Sequence, residues 1–245
     1  IEPLTGIFTL NQLTDDEGKR SSHNEFVMAQ AIIPHGPFMF DCDCNFRSEY
    51  SGSTSEAYYE QVICASRLVG RFLKKLKELN RYDSSLIIIM GDHGSGWAGP
   101  VDGIETDPSP LNNEYMPWSK SKVISRASAL LMVKPPKTDT RIDLIISERE
   151  TQLVDIYPTI LSAIGHKEKI PENTHGIGVF SQIGPKREKF ITYFKPSRTI
   201  DPYNADVYDL LYTSNGGIHD IAFRSKLQEI DQILPLNSGR MVSFS

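Results

Sequence analysis

The chain has 245 residues, a formal net charge of −5, 39% hydrophobic and 23% charged residues, the proportions of a globular protein rather than a disordered or fibrous one. The acidic balance argues against a nucleic-acid-binding face. No apolar stretch is long enough to span a bilayer, and the N-terminus lacks a signal-peptide pattern.

The first 25 residues, with TDDEGKRSSHNE, are polar and read as loop or a frayed helix. Residues 26–33 (FVMAQAII) read as a buried strand closed by Pro34. Cys42 and Cys44 stand too close for an easy disulfide with each other, and one of them could reach Cys64 only if the fold permits. Without a second pair the spacing is no zinc signature, so the thiols read as structural or incidental. Ser53 to Glu56 has the S/T-x-x-E form of a capping box. Tyr58, Val62, Ala65, Val69, Phe72, Leu76 and Leu79 follow at helical spacing, predicting a long amphipathic helix that ends near Asn80.

The run SLIIIMGDHGSG (85–96) is a second strand that ends in an acid, a histidine and glycines. Residues 97–122, rich in Pro, Gly, Asp and Asn, read as a long loop beside it. ALLMVKPP (129–136) is a third buried strand, stopped by two prolines. VDIYPTILSAIG reads as a helix with Asp155 as cap, Pro158 in its first turn and Gly165 at its stop. KFITYF (189–194) is a fourth strand, and DVYDLLY before NGG reads as a strand entering a tight turn. Strand, helix and strand in sequence, with near-continuous apolar strands, predict a single α/β domain over 1–245 with a mostly parallel central sheet flanked by helices.

Ligands of open parallel sheets sit outside the carboxyl ends of the strands. Two strands end there in similar chemistry, Pro34-His35-Gly36-Pro37 and Gly91-Asp92-His93-Gly94. Asp92 and His93 offer a carboxylate oxygen and an imidazole nitrogen, a mixed set suited to Zn²⁺ or Mn²⁺. Adjacent residues face one site only across a sharp turn, which Gly91, Gly94 and Gly96 make easy. His35, Asp92 and His93 are therefore expected to converge on one pocket. Lys134, at another strand end, could touch an anionic substrate or a neighbouring loop. Asp41, Asp43, Arg47, Lys120 and Lys122 are weaker candidates for the site or for an anion. His23, His166, His175 and His219 read as surface, turn or loop residues.

The order HGPF, amphipathic helix, LIIIMGDHG, LLMVKPP, LVDIYPTILSAIG resembles the second half of the sulfatase-like alkaline phosphatase superfamily, over roughly residues 26–212. Within it, the chain is most similar to the membrane-anchored bacterial branch of lipoteichoic acid synthases and phosphoethanolamine transferases. The resemblance implies that Asp92 and His93 are ligands of a divalent ion (Mn, Zn, Mg or Ca) and that His35 contacts the transferred group or the leaving oxygen. It further implies a hydrolase or transferase acting on sulfate or phosphate esters of small molecules, glycans or lipids, at the periplasmic face of a bacterial inner membrane. The acidic ligand after the first strand and the Thr, Ser or modified Cys nucleophile of such enzymes find no counterpart before His35. No cysteine fits C-x-[PS]-x-R, because Arg67 follows Cys64 one place early. A second histidine shortly after Asp-His-Gly is also absent. The chain is thus expected to be the C-terminal part of a catalytic domain, inactive alone, with nucleophile and membrane anchor upstream of Ile1. The competing expectation is a non-catalytic domain that binds anions or glycans.

Overall fold

The computed structural model describes residues 2–20, 24–49, 52–95, 125–126, 128–136, 144–147 and 151–181, together with the backbone of strands at 189–195 and 206–212. Of the N-terminal stretch read as loop or a frayed helix, the greater part is a regular helix, α1 (Glu2–Glu17). Pro3 stands in its first turn, where a missing N–H costs nothing. Pro3, Gly6, Leu10 and Glu17 then form one buried stripe at spacings of three, four and seven. The polar residues dominate the average composition but, apart from Glu17, which pairs with Arg81, lie off that stripe. Gly6 is required by packing, since a Cβ there would stand 3.0 Å from the Ile32 carbonyl carbon and the Ile33 side chain.

α1 packs on α2 (Thr54–Glu78), whose Ser53–Glu56 capping box is formed in both directions. The Ser53 backbone N–H, followed by its hydroxyl, holds the Glu56 carboxyl below the usual range. The buried stripe of α2 is Ala57, Gln61, Cys64, Leu68 and Leu76, so most of it runs one residue away from the apolar series expected from the sequence. Ala65 and Val69 flank it, half-buried. Leu10, Ile33, Cys64 and Leu68 form the core, with Ile7, Ala31, Cys44, Ala65 and Val69 packed around them.

Residues 24–32 do not form the expected strand. A strand needs a hydrogen-bonded neighbour, and among the described residues this segment has none. Its apolar content divides instead: Ala31 and Ile33 enter the helical core, whereas Phe26 and Met28 are 76% and 79% exposed. The fold does permit one of the paired cysteines to reach Cys64: Cys44 and Cys64 form a disulfide with 5.1 Å between their Cα atoms. Cys42 is free.

β1 (Ile87–Met90) and β2 (Leu131–Lys134) form one two-stranded sheet. Just beyond the strands, the Gly91 N–H donates to the Leu130 carbonyl (3.0 Å) and the Gly94 N–H to the Arg126 carbonyl (2.7 Å). One chain advances while the other recedes, which is the antiparallel sense. α3 (Ile156–Ala163) follows a 3₁₀ turn at Leu153–Asp155 and ends at Gly165, whose φ of +80° suits glycine. β3 (Lys189–Lys195) and β4 (Asp206–Tyr212) pair antiparallel from Lys189↔Tyr212 to Lys195↔Asp206.

The α/β class is therefore present, but the mostly parallel central sheet is not formed among the described residues. Strand runs read as buried on both faces are only half-buried here: Met90, Leu130 and Met132 are exposed, as a two-stranded pair leaves a face uncovered. The chain divides into two compact units, one of Ile1–Ile87, Trp97–Gly99 and Lys134–Thr140, the other of Ile88–Gly96, Pro100–Val133 and Arg141–Ser245. Among the described residues no helix is long and apolar enough to cross a membrane.

Leu68 is 1% exposed and Leu144 82%. Leu68→Ala is expected to destabilise the fold by about 2–5 kcal/mol, and Leu144→Ala by no more than ~0.5 kcal/mol. Urea denaturation of the two variants followed by circular dichroism checks this, and equal midpoints would contradict the assignment of the core.

Candidate functional site

The Asp-His-Gly turn follows β1 directly. The Asp92 Oδ1 accepts the backbone N–H of His93 at 3.0 Å, which turns Oδ2 toward the imidazole. The His93 Nδ1 lies 2.9 Å from the Gly94 carbonyl. A carbonyl only accepts, so Nδ1 carries the proton and Nε2 keeps a lone pair. That Nε2 is 3.8 Å from Asp92 Oδ2. Zinc takes imidazole nitrogen and carboxylate oxygen at about 2.0–2.2 Å in a tetrahedral shell, which sets two donors roughly 3.3–3.6 Å apart. The pair offers donor types that suit a divalent metal and an Nε2 lone pair, at a separation slightly wider than that. Asp92 is 67% and His93 24% exposed, so the carboxylate stays open to solvent while the ring is partly enclosed.

Glycine at position 94 serves this turn by packing, not by a left-handed backbone. A Cβ on Gly94 would meet the Ser125 carbonyl oxygen at 1.9 Å and that of Ser128 at 2.5 Å. The Asp-His-Gly turn thus lies directly against the backbone of Ser125 and Ser128, and the Ser125 hydroxyl donates to the Ser95 carbonyl. Among the described residues no group of three or more His, Cys, Asp or Glu side chains is arranged to hold a metal.

His35 belongs to the first unit and lies between Pro34 and Gly36, both flanking peptide bonds of the Pro-His-Gly-Pro segment that end in proline being cis. Its Nδ1 donates to the Gly36 carbonyl at 2.6 Å, again leaving the lone pair on Nε2, and Glu2 Oε2 stands 3.5 Å from Nδ1. The ring is more than half exposed. The His35 carbonyl accepts from Gln61 Nε2 at 2.7 Å. Gln61, entirely buried, was not singled out by the sequence reading. A polar residue on the apolar stripe of α2 was the available signal.

The other candidates have local partners. The Lys134 Nζ donates to the carbonyls of Tyr82, Asp83 and Ser85, the last two at 2.8 and 2.9 Å, and sits over the Tyr82 ring. Three donors are thereby engaged with a loop, and an anionic substrate would have to displace them. Asp41 accepts the backbone N–H groups of Asn45 (2.8 Å) and Asp43 (2.9 Å). The Asn45 N–H is the main reason that the Asp41 carboxyl sits below the usual carboxylate range. Asp43 pairs with Arg67, and Arg47 with Glu60. His166 pairs with Glu168, and His175 is exposed. The expectations for His23, Lys120, Lys122, His219 and the 97–122 loop lie outside the described residues.

Comparison with known proteins places this turn in a family. A family profile described as Sulfatase matches residues 9–166, well over half of the chain. The chain belongs to the sulfatase family. Within this sulfatase-family chain the matched region contains the second half of α1 and all of α2, β1, β2 and α3, and with them His35, Asp92, His93 and Lys134. Among solved structures, it is similar to a Bacteroides fragilis protein, yidJ, described as a sulfatase, at 14% identity and a TM-score of 0.48. That alignment covers 97% of this chain and 56% of yidJ, so the chain spans little more than half of that protein's length. A search of curated proteins returns no match.

Gly94→Ala forces a Cβ into two carbonyl oxygens and is expected to cost about 1–3 kcal/mol. Gly70→Ala, in the helix interior with nothing within 4 Å of its Cβ position, is expected to add about 0.5–1 kcal/mol. Thermal melts of both variants measure the contrast. A neutral Gly94→Ala would show that the backbone of Ser125 and Ser128 yields readily.

Proposed function

We propose that this chain is the C-terminal part of a metal-dependent sulfatase-type hydrolase acting on sulfate esters, with phosphate esters as the chemically related alternative. The observation that carries this reading is the pairing of Asp92 Oδ2 with the His93 Nε2 lone pair at 3.8 Å, in a chain of the sulfatase family. Asp92 and His93 would hold the ion, their donor atoms set by the His93 N–H and the Gly94 carbonyl. The ion, when bound, supplies positive charge that acidifies a nucleophilic hydroxyl and offsets charge on the transferred group. His35 acts at the leaving oxygen: in its imidazolium form, with the Nδ1 proton held by the Gly36 carbonyl, it gives the Nε2 proton to the departing alkoxide and is left with the Nε2 lone pair. The nucleophile and remaining metal ligands lie upstream of this chain.

The extracytoplasmic, membrane-anchored setting is part of the same proposal. The Cys44–Cys64 disulfide supports it, because such bonds persist in oxidising compartments and are rare in the cytosol. Envelope glycans or lipids are the substrates that suit that setting. The reading frame upstream of Ile1 is expected to encode a catalytic hydroxyl or cysteine and apolar segments of about 20 residues. A frame beginning immediately before Ile1 would sink both.

Metal binding is tested by titrating the chain with Mn²⁺ and following paramagnetic broadening. Among the described residues only Asp92 and His93 are placed as ligands, so binding is expected to be weak, with broadening confined to residues around 91–95 and lost in Asp92→Asn and His93→Gln. Broadening that survives both substitutions would overturn the ligand assignment. A complete catalytic domain that binds sulfate but turns over no aryl sulfate or aryl phosphate would make the protein a binding module instead.

A further inference from the structure

We propose that Gln61 is the positioning residue for His35, an inference that rests on the leaving-group role given to His35 above. Gln61 projects from α2, has no exposed surface, and bonds through both ends of its amide. Its Nε2 donates to the His35 carbonyl at 2.7 Å, and its Oε1 accepts the N–H groups of Met39 (3.1 Å) and Phe40 (3.3 Å). The amide cannot be reversed, since a carbonyl oxygen facing the His35 carbonyl and an NH₂ facing two N–H groups would repel at every contact.

The segment leans on this side chain: besides it, the Met39 carbonyl takes the Arg47 N–H at 2.7 Å and Glu2 stands beside the His35 ring. Pro34 and Pro37 contribute no N–H, and residues 34–39 belong to no strand or helix. Further along, α2 holds the chain by different means: Arg47 bonds the Phe40 carbonyl and Glu60, Cys64 is joined to Cys44, and Arg67 bonds the Cys42 carbonyl at 2.6 Å. Of these contacts, the one from Gln61 reaches His35. The imidazole is tied to the Gly36 carbonyl, so its Nε2 is carried rigidly by the same peptide units that Gln61 grips. Moving that grip moves the Nε2. Misplacing a catalytic group by about 1 Å costs on the order of 10²-fold in rate.

Two substitutions separate positioning from general support. Gln61→Leu removes all three bonds at nearly constant volume. Gln61→Glu, when ionised, still accepts from Met39 and Phe40 but sets an oxygen against the His35 carbonyl. Burial raises the pKa of that carboxyl, so as pH falls it regains a proton, and its O–H can again donate to the His35 carbonyl. The titratable and charged groups around the loop are Glu2 on α1, His35 itself, Asp41 and the Arg47–Glu60 pair, and the unsubstituted chain supplies their background profile.

Hydrogen exchange of the Met39 and Phe40 amides and the assigned ring resonances of His35 are read across pH. Gln61→Leu is expected to speed exchange at both amides at least tenfold and to displace the His35 signals at every pH. Gln61→Glu is expected to keep the amides protected and displace His35 at high pH, with its signals returning toward the unsubstituted chain as pH falls. In the full-length enzyme both variants are expected to lower kcat for an aryl sulfate by about 10²-fold with KM unchanged. If Gln61→Leu does not fold, Gln61→Glu carries the test, since it retains two of the three bonds. His35 signals that stay unmoved in Gln61→Glu would overturn the proposal. Full turnover by His35→Ala would instead overturn the role of His35, with the exchange results still reporting whether Gln61 holds the loop.

Discussion

Backbone N–H and C=O groups that leave water must find partners, and the stretch from His35 to Arg47 has almost no secondary structure to supply them. Its backbone pairings are confined to the turn at 41–45 and the bridge around Phe40 and Phe46, where the Arg47 N–H meets the Met39 carbonyl. Asp41 adds bonds within the turn, and the remaining support for the stretch comes largely from side chains of α2, spaced at about one helical turn: Gln61 on His35, Met39 and Phe40, Cys64 on Cys44, Arg67 on Cys42. The helix is thus a core element on one stripe and a scaffold for an irregular loop on the same and adjacent positions. Its register depends in turn on the Ser53–Glu56 cap and on the packing of Leu68 against Leu10 and Ile33.

The Asp-His-Gly turn solves a related problem with far shorter contacts. Its order is set by neighbouring backbone: the His93 N–H points Asp92, the Gly94 carbonyl orients His93, and Gly94 itself lies against Ser125 and Ser128. Only a residue without a side chain fits at that crossing. The geometry of two metal-type donors is consequently built into the main chain rather than left to flexible rotamers. In α3 a comparable economy appears, where the buried Asp155 accepts from Gln152 and Ile177, and Thr159 accepts from Val179. That pair fixes the segment after α3 against its first turn.

Local signals in the sequence were readable where a single element decides the outcome. The Ser53–Glu56 cap, the end of α2, the strands at 87–90 and 131–134, and the stop at Gly165 all follow from neighbours within a few residues. The sulfatase family was legible because Gly-Asp-His-Gly and Asp-Ile-Tyr-Pro-Thr stand in a recognisable order. What depended on distant partners was not. α1 was hidden by the polar residues that surround its narrow apolar stripe, and residues 26–33 were read as a strand from composition alone, which says nothing about a pairing partner. Gln61, being polar, stood outside the apolar series, although it is a member of the buried stripe. Asp155 was expected to cap α3, yet its carboxylate reaches back to Gln152 and across to Ile177, the latter twenty-two residues on. For Lys134, read as touching an anionic substrate or a neighbouring loop, the sequence did not say which loop, and the carbonyls it meets lie about fifty residues earlier.

The Cys44–Cys64 bond closes a ring of chain that contains the exposed residues Ser48, Glu49 and Gly52. Peptide hydrolysis inside that ring releases nothing. A molecule nicked there keeps both pieces on one covalent thread, so it migrates as a single species in a denaturing gel until a thiol reductant is added. The proteolytic wear of this loop is therefore invisible to any preparation handled without reducing agent, and the His35 side of the cut remains moored to the helix that holds it.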